Sequence, residues 1–266
     1  MNTLSAPSFA LAVFGAGVGP VLAGEDMLVV PGGTFLMGDA AGGPDETPHM
    51  VTVEAFTIMR LEVTNRQFAD FVAATGHRTD PERRGFGYVW DSHWHQLPGA
   101  DWRHPAGPDS SLDGRGNHPV VQVSARDAAA YCAWAGLRLP SEAEWEFAAR
   151  GEDGRRYPWG NETPAQDGTR RANFGTVSCC APSAADGYRT TAPGGTYPAG
   201  ASPFGALDMA GNVWEWTSSR FPGRPDQVVL RGGGWGNNPW CLRTSYRHGN
   251  PNDIGLDMVG FRCVGD

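Results

Sequence analysis

Three motifs rich in glycine and tryptophan near the C-terminus constrain the fold more than any other feature of the chain. They are residues 205–216 (GALDMAGNVWEW), 231–235 (RGGGW) and 260–263 (GFRC). Each glycine suits a backbone that turns through positive φ or passes close to another segment. Each tryptophan supplies a large apolar ring and an N–H that requires a partner. This density predicts a compact core built largely from loops.

Upstream of these motifs, local patterns predict a few short regular elements. Capping boxes start three helices, at Thr64 with Gln67, Ser124 with Asp127, and Ser141 with Glu144. The predicted helix ends are Gly76, Gly136 and Gly151. Alternating apolar positions predict short strands at 51–57 and within 27–30. Residues 77–120 and 151–205 carry little periodicity and are predicted to be long loops.

Length, charge and the N-terminus define the broad class of protein. The 266 residues contain no linker, so residues 24–266 are predicted to form a single domain. The net charge is −8 and every basic residue is arginine, which argues against nucleic-acid binding. Residues 9–23 are apolar and small and end in a small-x-small site, so residues 1–23 are predicted to be an export signal. The alternative is an N-terminal tail. No later segment is apolar enough for a membrane span, which leaves a periplasmic or secreted protein.

Further motifs extend the pattern over most of the chain: 31–38 (PGGTFLMG), 45–49 (DETPH), 62–68 (EVTNRQF), 99–110 (GADWRHPAGPDS), 117–120 (NHPV), 127–136 (DAAAYCAWAG) and 138–147 (RLPSEAEWEF). The whole series resembles the formylglycine-generating enzyme family, also called the sulfatase-modifying factor family. The resemblance implies an α+β, C-type-lectin-like fold with little regular secondary structure. It is stronger evidence for the fold than for the reaction.

The resemblance also implies structural calcium. One calcium would take the side chains of Asp208 and Glu215 and the carbonyls of Gly211 and Val213. A second would take the side chains of Asn173 and Asp186 and the carbonyls of Phe174 and Tyr188. Such oxygen-rich sets suit a hard cation. The alternative is that these polar groups only cap turns through Asx-type hydrogen bonds.

Five cysteines are an odd number, so at least one is unpaired in a monomer. The family resemblance pairs Cys132 with Cys263. Cys179 and Cys180 are adjacent, and the sequence leaves open whether either pairs with Cys241. Each is a buried thiol on the alternative interpretation.

The segment after the RGG motif departs from the family pattern. Active members place two cysteines there, and these bind a copper ion that activates O₂ to oxidise a substrate cysteine. In this chain the first position falls near Asn237 and the second on Pro239, with Gly234 in place of the family's serine. Cys241 is close but alone, and Cu(I) selects soft thiolates, so copper is not expected. The chain in this respect resembles the exported branch associated with maturation of a pyoverdine-type siderophore.

Other side chains are candidates for catalysis or recognition. His93 and His95 lie on one face of an extended segment, which is a weak signal for another redox metal. The catalytic candidates are Trp214, Trp102, Arg103, His104 and Cys241. The predicted substrate groove combines aromatic and guanidinium groups, namely Trp102, Arg103, Trp235, Trp240, Arg243 and Tyr246.

Two functions from different classes follow from these observations. The first is an exported, oxidoreductase-like maturation factor that acts on a peptide or peptide-derived substrate without the copper cysteines. The second is a calcium-stabilised, lectin-like binding module or accessory maturation protein without catalysis. A redox metal content would favour the first.

Overall fold

The computed structural model describes residues 26–177 and 179–266. The strands are β1 (Met27–Val30), β2 (Gly33–Met37), β3 (His49–Val53), β4 (Phe56–Met59), β5 (Phe86–Trp90), β6 (Trp94–Pro98), β7 (Trp214–Phe221), β8 (Arg224–Arg231), β9 (Arg247–Pro251), β10 (Val259–Gly260) and β11 (Val264–Gly265). The helices are α1 (Asn65–Thr75), α2 (Asp80–Arg84), α3 (Ala125–Trp134) and α4 (Glu142–Arg150), with 3₁₀ turns at Gln166–Gly168 and Pro198–Gly200. The predicted export signal lies outside the described residues.

The strands form small sheets that mix parallel and antiparallel pairs. A four-stranded sheet has the order β10-β7-β8-β9, and a three-stranded sheet has the order β1-β4-β11. β2–β3 and β5–β6 are separate antiparallel pairs. The short parallel pair β10–β7 brings Val259 beside Trp214 and so joins the GFRC segment to the NVWEW segment. Short helices beside such sheets confirm the α+β class.

The three predicted helices are confirmed with their caps. Thr64, Ser124 and Ser141 each accept a hydrogen bond from the N3 backbone N–H, and in every case the N3 side chain accepts one from the N-cap backbone N–H. Gly76 ends α1 in the left-handed conformation. Gly136, at φ 74°, follows the C-cap of α3, and Gly151 caps α4.

The predicted short strands are confirmed, but the prediction of a long loop over 77–120 was wrong. The alternating positions at 51–57 belong to two strands, because β3 ends at Val53 and β4 starts at Phe56. Residues 77–120 are more regular than predicted, since they contain α2, β5 and β6. α2 has its own capping box, in which Thr79 pairs with Glu82, but five residues are too few to show a helical period.

The main core gathers aromatic rings from helices and from the C-terminal segment. The Tyr131 ring lies 5.4 Å from that of Phe261 and 6.0 Å from that of Phe68. Next to them is the Cys132–Cys263 disulfide, the pair that the family resemblance implies. The bond closes a loop with a sequence separation of 131 residues and ties α3 to the end of the chain.

Buried ion pairs fix the glycine-rich C-terminal segments to the helices. Arg231 donates to Glu142 and Glu146 of α4, and Arg262 binds both carboxylate oxygens of Glu215. Each of these charges is almost wholly buried, so a lost partner leaves an uncompensated charge in the core. Together the pairs hold β7, β8 and the GFRC segment in place around one cavity.

Candidate functional site

A cavity with a volume of about 520 Å³ opens beside β7 and β9. Its walls are mainly aromatic and apolar, with sulfur and a few polar groups. It is lined by Tyr88, Trp94, Cys179, Cys180, Trp214, Asn237, Cys241, Tyr246, His248, Asn250, Pro251, Ile254, Leu256, Met258 and Val259. This enclosed surface suits a small organic ligand or a side chain of a peptide.

One wall is held by main-chain hydrogen bonds between two loops that are distant in sequence. Gly175 donates to Asn237, Asn238 donates to Val177, and Ala181 donates to Gly236. The bonds lie on both sides of the cysteine pair. They therefore fix Cys179 and Cys180 against the segment that leads to Cys241.

The Asn237 side chain holds two neighbouring segments of the cavity wall in place. Its Oδ1 accepts hydrogen bonds from the Trp214 indole and from the Gly234 backbone, both at 2.9 Å. Glycine is needed at position 234, because a Cβ there would lie 2.4 Å from Cγ of Met258. Asn237, near which the family resemblance places the first copper cysteine, therefore orients the Trp214 ring in this chain.

Cys179 and Cys180 differ from both arrangements left open by the sequence, whereas Cys241 is a buried thiol as one of them has it. Cys179 and Cys180 are joined to each other, and Cys241 is outside any disulfide among the described residues. The structure places Cys241 rather than Pro239 in the cavity wall. With Asn237 and one thiol at the family's copper position, the donor set does not fit a site of two thiolates.

Burial favours the uncharged forms of Cys241, Tyr246 and His248 in this cavity. Burial raises the pKa of the Cys241 thiol, against a hydrogen bond with Tyr246. Burial, together with the neighbouring Cys241, raises the pKa of Tyr246 to about 12. Loss of solvent around the ring, followed by the charge of Arg224, lowers the pKa of His248. At neutral pH the cavity therefore presents a thiol, a phenol and an uncharged imidazole.

The predicted groove does not exist as one surface. Arg243 is 1% exposed and binds Glu46 at 2.8 and 3.0 Å and Asp39 at 3.1 Å, so its charge is used inside the fold. Trp240 is 44% exposed and covers this guanidinium at 3.9 Å. Trp235 is a core residue whose indole donates to the Asp257 carbonyl. Of the six predicted groove residues, only Tyr246 lines the cavity.

Trp102, Arg103 and His104 lie apart from this cavity. Trp102 is 3% exposed and packs against Phe68, and Arg103 stacks on it at 4.2 Å while binding Glu82. His104 Nδ1 is 2.7 Å from the Ser110 carbonyl, within its own loop. These contacts give the three residues a role in loop structure.

His93 and His95 share one face, as the extended pattern predicts, with ring centroids 5.2 Å apart. Each Nδ1 lies 3.7 Å from Asp91. Trp94, which separates the two histidines in the sequence, lines the cavity, whereas His93 and His95 do not. Within the described residues no group of three or more His, Cys, Asp or Glu side chains is arranged to hold a metal ion.

The Asn173–Asp186 calcium set contains an unsatisfied ligand atom. Asn173 Oδ1 is buried without a hydrogen-bond partner, while its Nδ2 donates to the Thr190 carbonyl. The Asp186 side chain is 1% exposed and accepts from the Tyr188 backbone and the Tyr197 hydroxyl. A buried oxygen without a donor fits a cation ligand, so these residues are compatible with calcium.

The other predicted calcium set, built around Asp208 and Glu215, is used differently. Both Glu215 oxygens accept from Arg262, and one also accepts from the Trp145 indole. Asp208 accepts from the Gly195 backbone, and burial raises its pKa to about 6. The set of Asp208, Gly211, Val213 and Glu215 remains a prediction, with Glu215 acting as an ion-pair partner in this structure.

Sequence analysis missed most of the cavity lining. Tyr88 and Trp94 come from the β5–β6 pair, and Leu256 and Met258 precede the GFRC motif. His248 lies in none of the sequence motifs. The signal for Tyr88 is weak, because its contact with the segment at 255–257 is made through backbone hydrogen bonds. No motif carries that information.

The chain belongs to the sulfatase-modifying factor family. Its residues 18–266 match the model described as "Sulfatase-modifying factor enzyme 1-like domain". The C-type-lectin-like architecture of that family is therefore the architecture of this chain. In residues 26–177 and 179–266, no helix has the length and apolar character needed to cross a membrane.

Individual relatives include active and inactive proteins. The formylglycine-generating enzyme of Thermomonospora curvata is 40% identical, over 91% of this chain and 94% of the relative. The mouse protein named "Inactive C-alpha-formylglycine-generating enzyme 2" is also 40% identical, over 90% of this chain and 85% of the relative. The solved structure of PvdO from Pseudomonas aeruginosa has a TM-score of 0.71 and 26% identity, covering 90% of this chain and 94% of that one.

Proposed function

We propose that this protein is an oxidoreductase-like maturation factor that acts on a peptide or peptide-derived substrate in the Trp214 cavity, without the copper cysteine pair. The observation that carries the proposal is the cavity wall itself. Trp214 lies in it beside Asn237 and Cys241, near the position that the family resemblance assigns to the copper cysteines. The likeness to PvdO supports the same branch of the family.

The walls suit a flat aromatic or heterocyclic group attached to a peptide. Trp214 lies 6.0 Å from Tyr246 and 5.6 Å from His248, measured between ring centroids. Such rings bind a planar substrate through dispersion and offset stacking. The proposed reaction removes two electrons and two protons from the substrate and transfers them to dioxygen, giving hydrogen peroxide.

Proton transfer in this reaction falls to His248 and Tyr246. An imidazole with a lowered pKa is neutral at pH 7 and accepts a proton from a bound substrate. The Tyr246 hydroxyl, protonated at the same pH, donates a hydrogen bond to the substrate. Cys241 fixes the position of Tyr246 through their shared hydrogen bond.

The proposal also includes export and structural calcium. The two disulfides, Cys132–Cys263 and Cys179–Cys180, suit an oxidising compartment such as the periplasm or the extracellular medium. Asn173 and Asp186 would hold calcium and so anchor the loop that leads to the cysteine pair. A hard cation with oxygen ligands supplies structure rather than redox chemistry there.

The test incubates the mature protein under air with two peptides. The first carries the dihydro form of a pyoverdine-type chromophore and is called the chromophore peptide. The second is a sulfatase-motif peptide. Oxidation of the chromophore peptide with matching peroxide formation is expected, together with loss of rate in His248→Gln. His49→Gln changes an exposed histidine on β3 and serves as the matched control. Conversion of neither peptide at any protein concentration would refute the enzymatic proposal.

The alternative is a binding module that lacks catalysis. The 40% identity to a mouse relative named as inactive favours it. On this alternative, the same cavity binds the chromophore peptide unchanged, and Trp214→Ala weakens binding without any turnover. Measuring affinity and turnover on one sample distinguishes the two functions.

A further inference from the structure

A second cavity, of about 120 Å³, has Asp257 in its wall, whereas the neighbouring Leu256 and Met258 line the Trp214 cavity. Its polar lining comprises three buried side chains, Asn65, Thr191 and Asp257, together with Thr190 and the exposed Arg115. The remaining walls are mostly apolar, from Pro105, Ala106, Leu112, Pro119 and Val121. None of these ten lining residues belongs to the Trp214 cavity.

Asn65 and Asp257 each have a side-chain oxygen that accepts no hydrogen bond. Asn65 is 5% exposed; its Nδ2 donates to the Arg115 carbonyl, but its Oδ1 has no hydrogen-bond partner. Asp257 is 8% exposed; its Oδ2 accepts from the Trp90 backbone, but its Oδ1 also has no partner. Buried acceptors of this kind are rare in native proteins and each requires an explanation.

The charge at this site is also uncompensated. Among the described residues neither Arg115, which lines the cavity, nor any other arginine or histidine forms an ion pair with Asp257, and the nearby Asp91 adds a second negative charge. Burial, with a smaller contribution from Asp91, raises the pKa of Asp257 to about 7. A buried carboxylate that lacks a cationic partner favours a ligand that brings one.

We propose that this second cavity binds the protonated primary amine of a ligand, with Asp257 Oδ1 and Asn65 Oδ1 as its two acceptors. An ammonium group has three donors and one positive charge, so it satisfies both oxygens and neutralises the carboxylate. The apolar walls fit the methylene groups that carry the amine. The volume excludes a large head group, and the site is independent of the reaction proposed for the Trp214 cavity.

The same chemistry has three sources, namely a free small amine, a lysine side chain of a partner, and the N-terminus of a peptide. Lysine is absent from this chain, so a lysine ligand would come from another molecule. Methylammonium is the simplest probe. With two non-hydrogen atoms it binds no tighter than the millimolar range, and the titration therefore runs to about 100 mM.

The experiment is saturation-transfer NMR of methylammonium chloride on the full protein, at constant ionic strength kept with tetramethylammonium chloride. Tetramethylammonium has the same charge without an N–H donor. Saturable binding of methylammonium is expected in the wild type and in Asp109→Asn, which alters an exposed carboxylate outside the cavity. A loss of at least tenfold in affinity is expected in Asp257→Asn, with its fold checked by near-ultraviolet circular dichroism.

Two further probes identify the source of the amine. Nα-acetyl-lysine methylamide, with a free ε-ammonium group, tests a side chain, and glycine methylamide tests a chain terminus. The probe that binds more tightly than methylammonium identifies the natural class of ligand. Binding of methylammonium alone identifies a free amine. Three results would overturn the proposal. They are no methylammonium binding, equal binding of tetramethylammonium or sodium, and unchanged affinity in Asp257→Asn.

Discussion

The Trp214 indole nitrogen donates to Asn237 Oδ1 at 2.9 Å, and the family resemblance places the first copper cysteine near Asn237. The carboxamide also accepts from Gly234, so one side chain sets both the ring and the turn after RGG. A cysteine at 237 would be a much weaker acceptor for the indole. The absence of copper ligation that the sequence predicts is therefore coupled to a fixed orientation of Trp214.

This relationship predicts the result of Asn237→Cys. The variant places a second thiol near Cys241 and is expected to bind one Cu(I) per chain, with a much higher affinity than the wild type, because paired thiolates select Cu(I). Stability should fall by about 1 kcal/mol through the lost hydrogen bond to Trp214. Competition against a chromophoric Cu(I) chelator measures the affinity. Asn237→Ser is the matched control and should show no such gain; equal affinity in both variants would contradict the assignment.

Arg243 is expected to affect stability rather than ligand binding. Replacing it with alanine leaves Glu46, 4% exposed, without its partner, and the cost of an unpaired buried charge is about 3–5 kcal/mol. Urea denaturation measures the loss. Arg103→Ala removes an exposed guanidinium that also stacks on tryptophan, and should cost about 1 kcal/mol or less. Comparable losses for the two variants would contradict the burial argument.

Calcium is expected to stabilise the fold through Asp186. At a calcium concentration one hundred times the dissociation constant, the gain is about 2.7 kcal/mol, and chelation by EDTA should lower the melting temperature accordingly. Asp186→Asn keeps an acceptor for the Tyr188 backbone but should weaken the calcium-dependent shift. Asp167→Asn changes an exposed carboxylate at positive φ, which asparagine tolerates, and should preserve it. A calcium-independent melting temperature in the wild type would exclude this site.

The sequence predicts local structure well wherever a short pattern has a local cause. The capping boxes at Thr64, Ser124 and Ser141 are examples, because both partners of each reciprocal pair lie within four consecutive residues. The family pattern likewise supplies the lectin-like architecture and the Cys132–Cys263 pair.

The site is less predictable because its partners are distant in sequence. Arg243 and Glu46 are separated by 197 residues, so the sequence reads the arginine as an exposed groove residue when it is buried. The cavity likewise combines the β5–β6 pair, the 175–181 loop and the segments at 237–258, which meet through backbone hydrogen bonds that any side chain permits. Adjacent cysteines at 179 and 180 give no indication of which partner each sulfur takes.

The Asp257 carboxyl makes stability depend on pH in a specific direction. Its pKa is about 7 in the folded protein and 3.8 in the unfolded chain, so the folded state binds more protons between these values. The free energy of unfolding therefore falls as the pH rises from about 4 to about 7. Asp257→Asn removes this penalty, and the variant should be more stable than the wild type by about 2–4 kcal/mol at pH 8.

The advantage of Asp257→Asn should vanish near pH 4, where the carboxyl is protonated in the folded and the unfolded protein alike. Asp208, whose pKa is raised to about 6, gives a trend of the same sign, but it is present in both proteins and cancels in the difference. Urea denaturation of the two proteins from pH 4 to pH 8, without added amines, measures that difference. A difference that does not change with pH would show that Asp257 keeps an ordinary pKa, whereas a difference that closes on adding methylammonium at pH 8 would show the amine neutralising the buried charge.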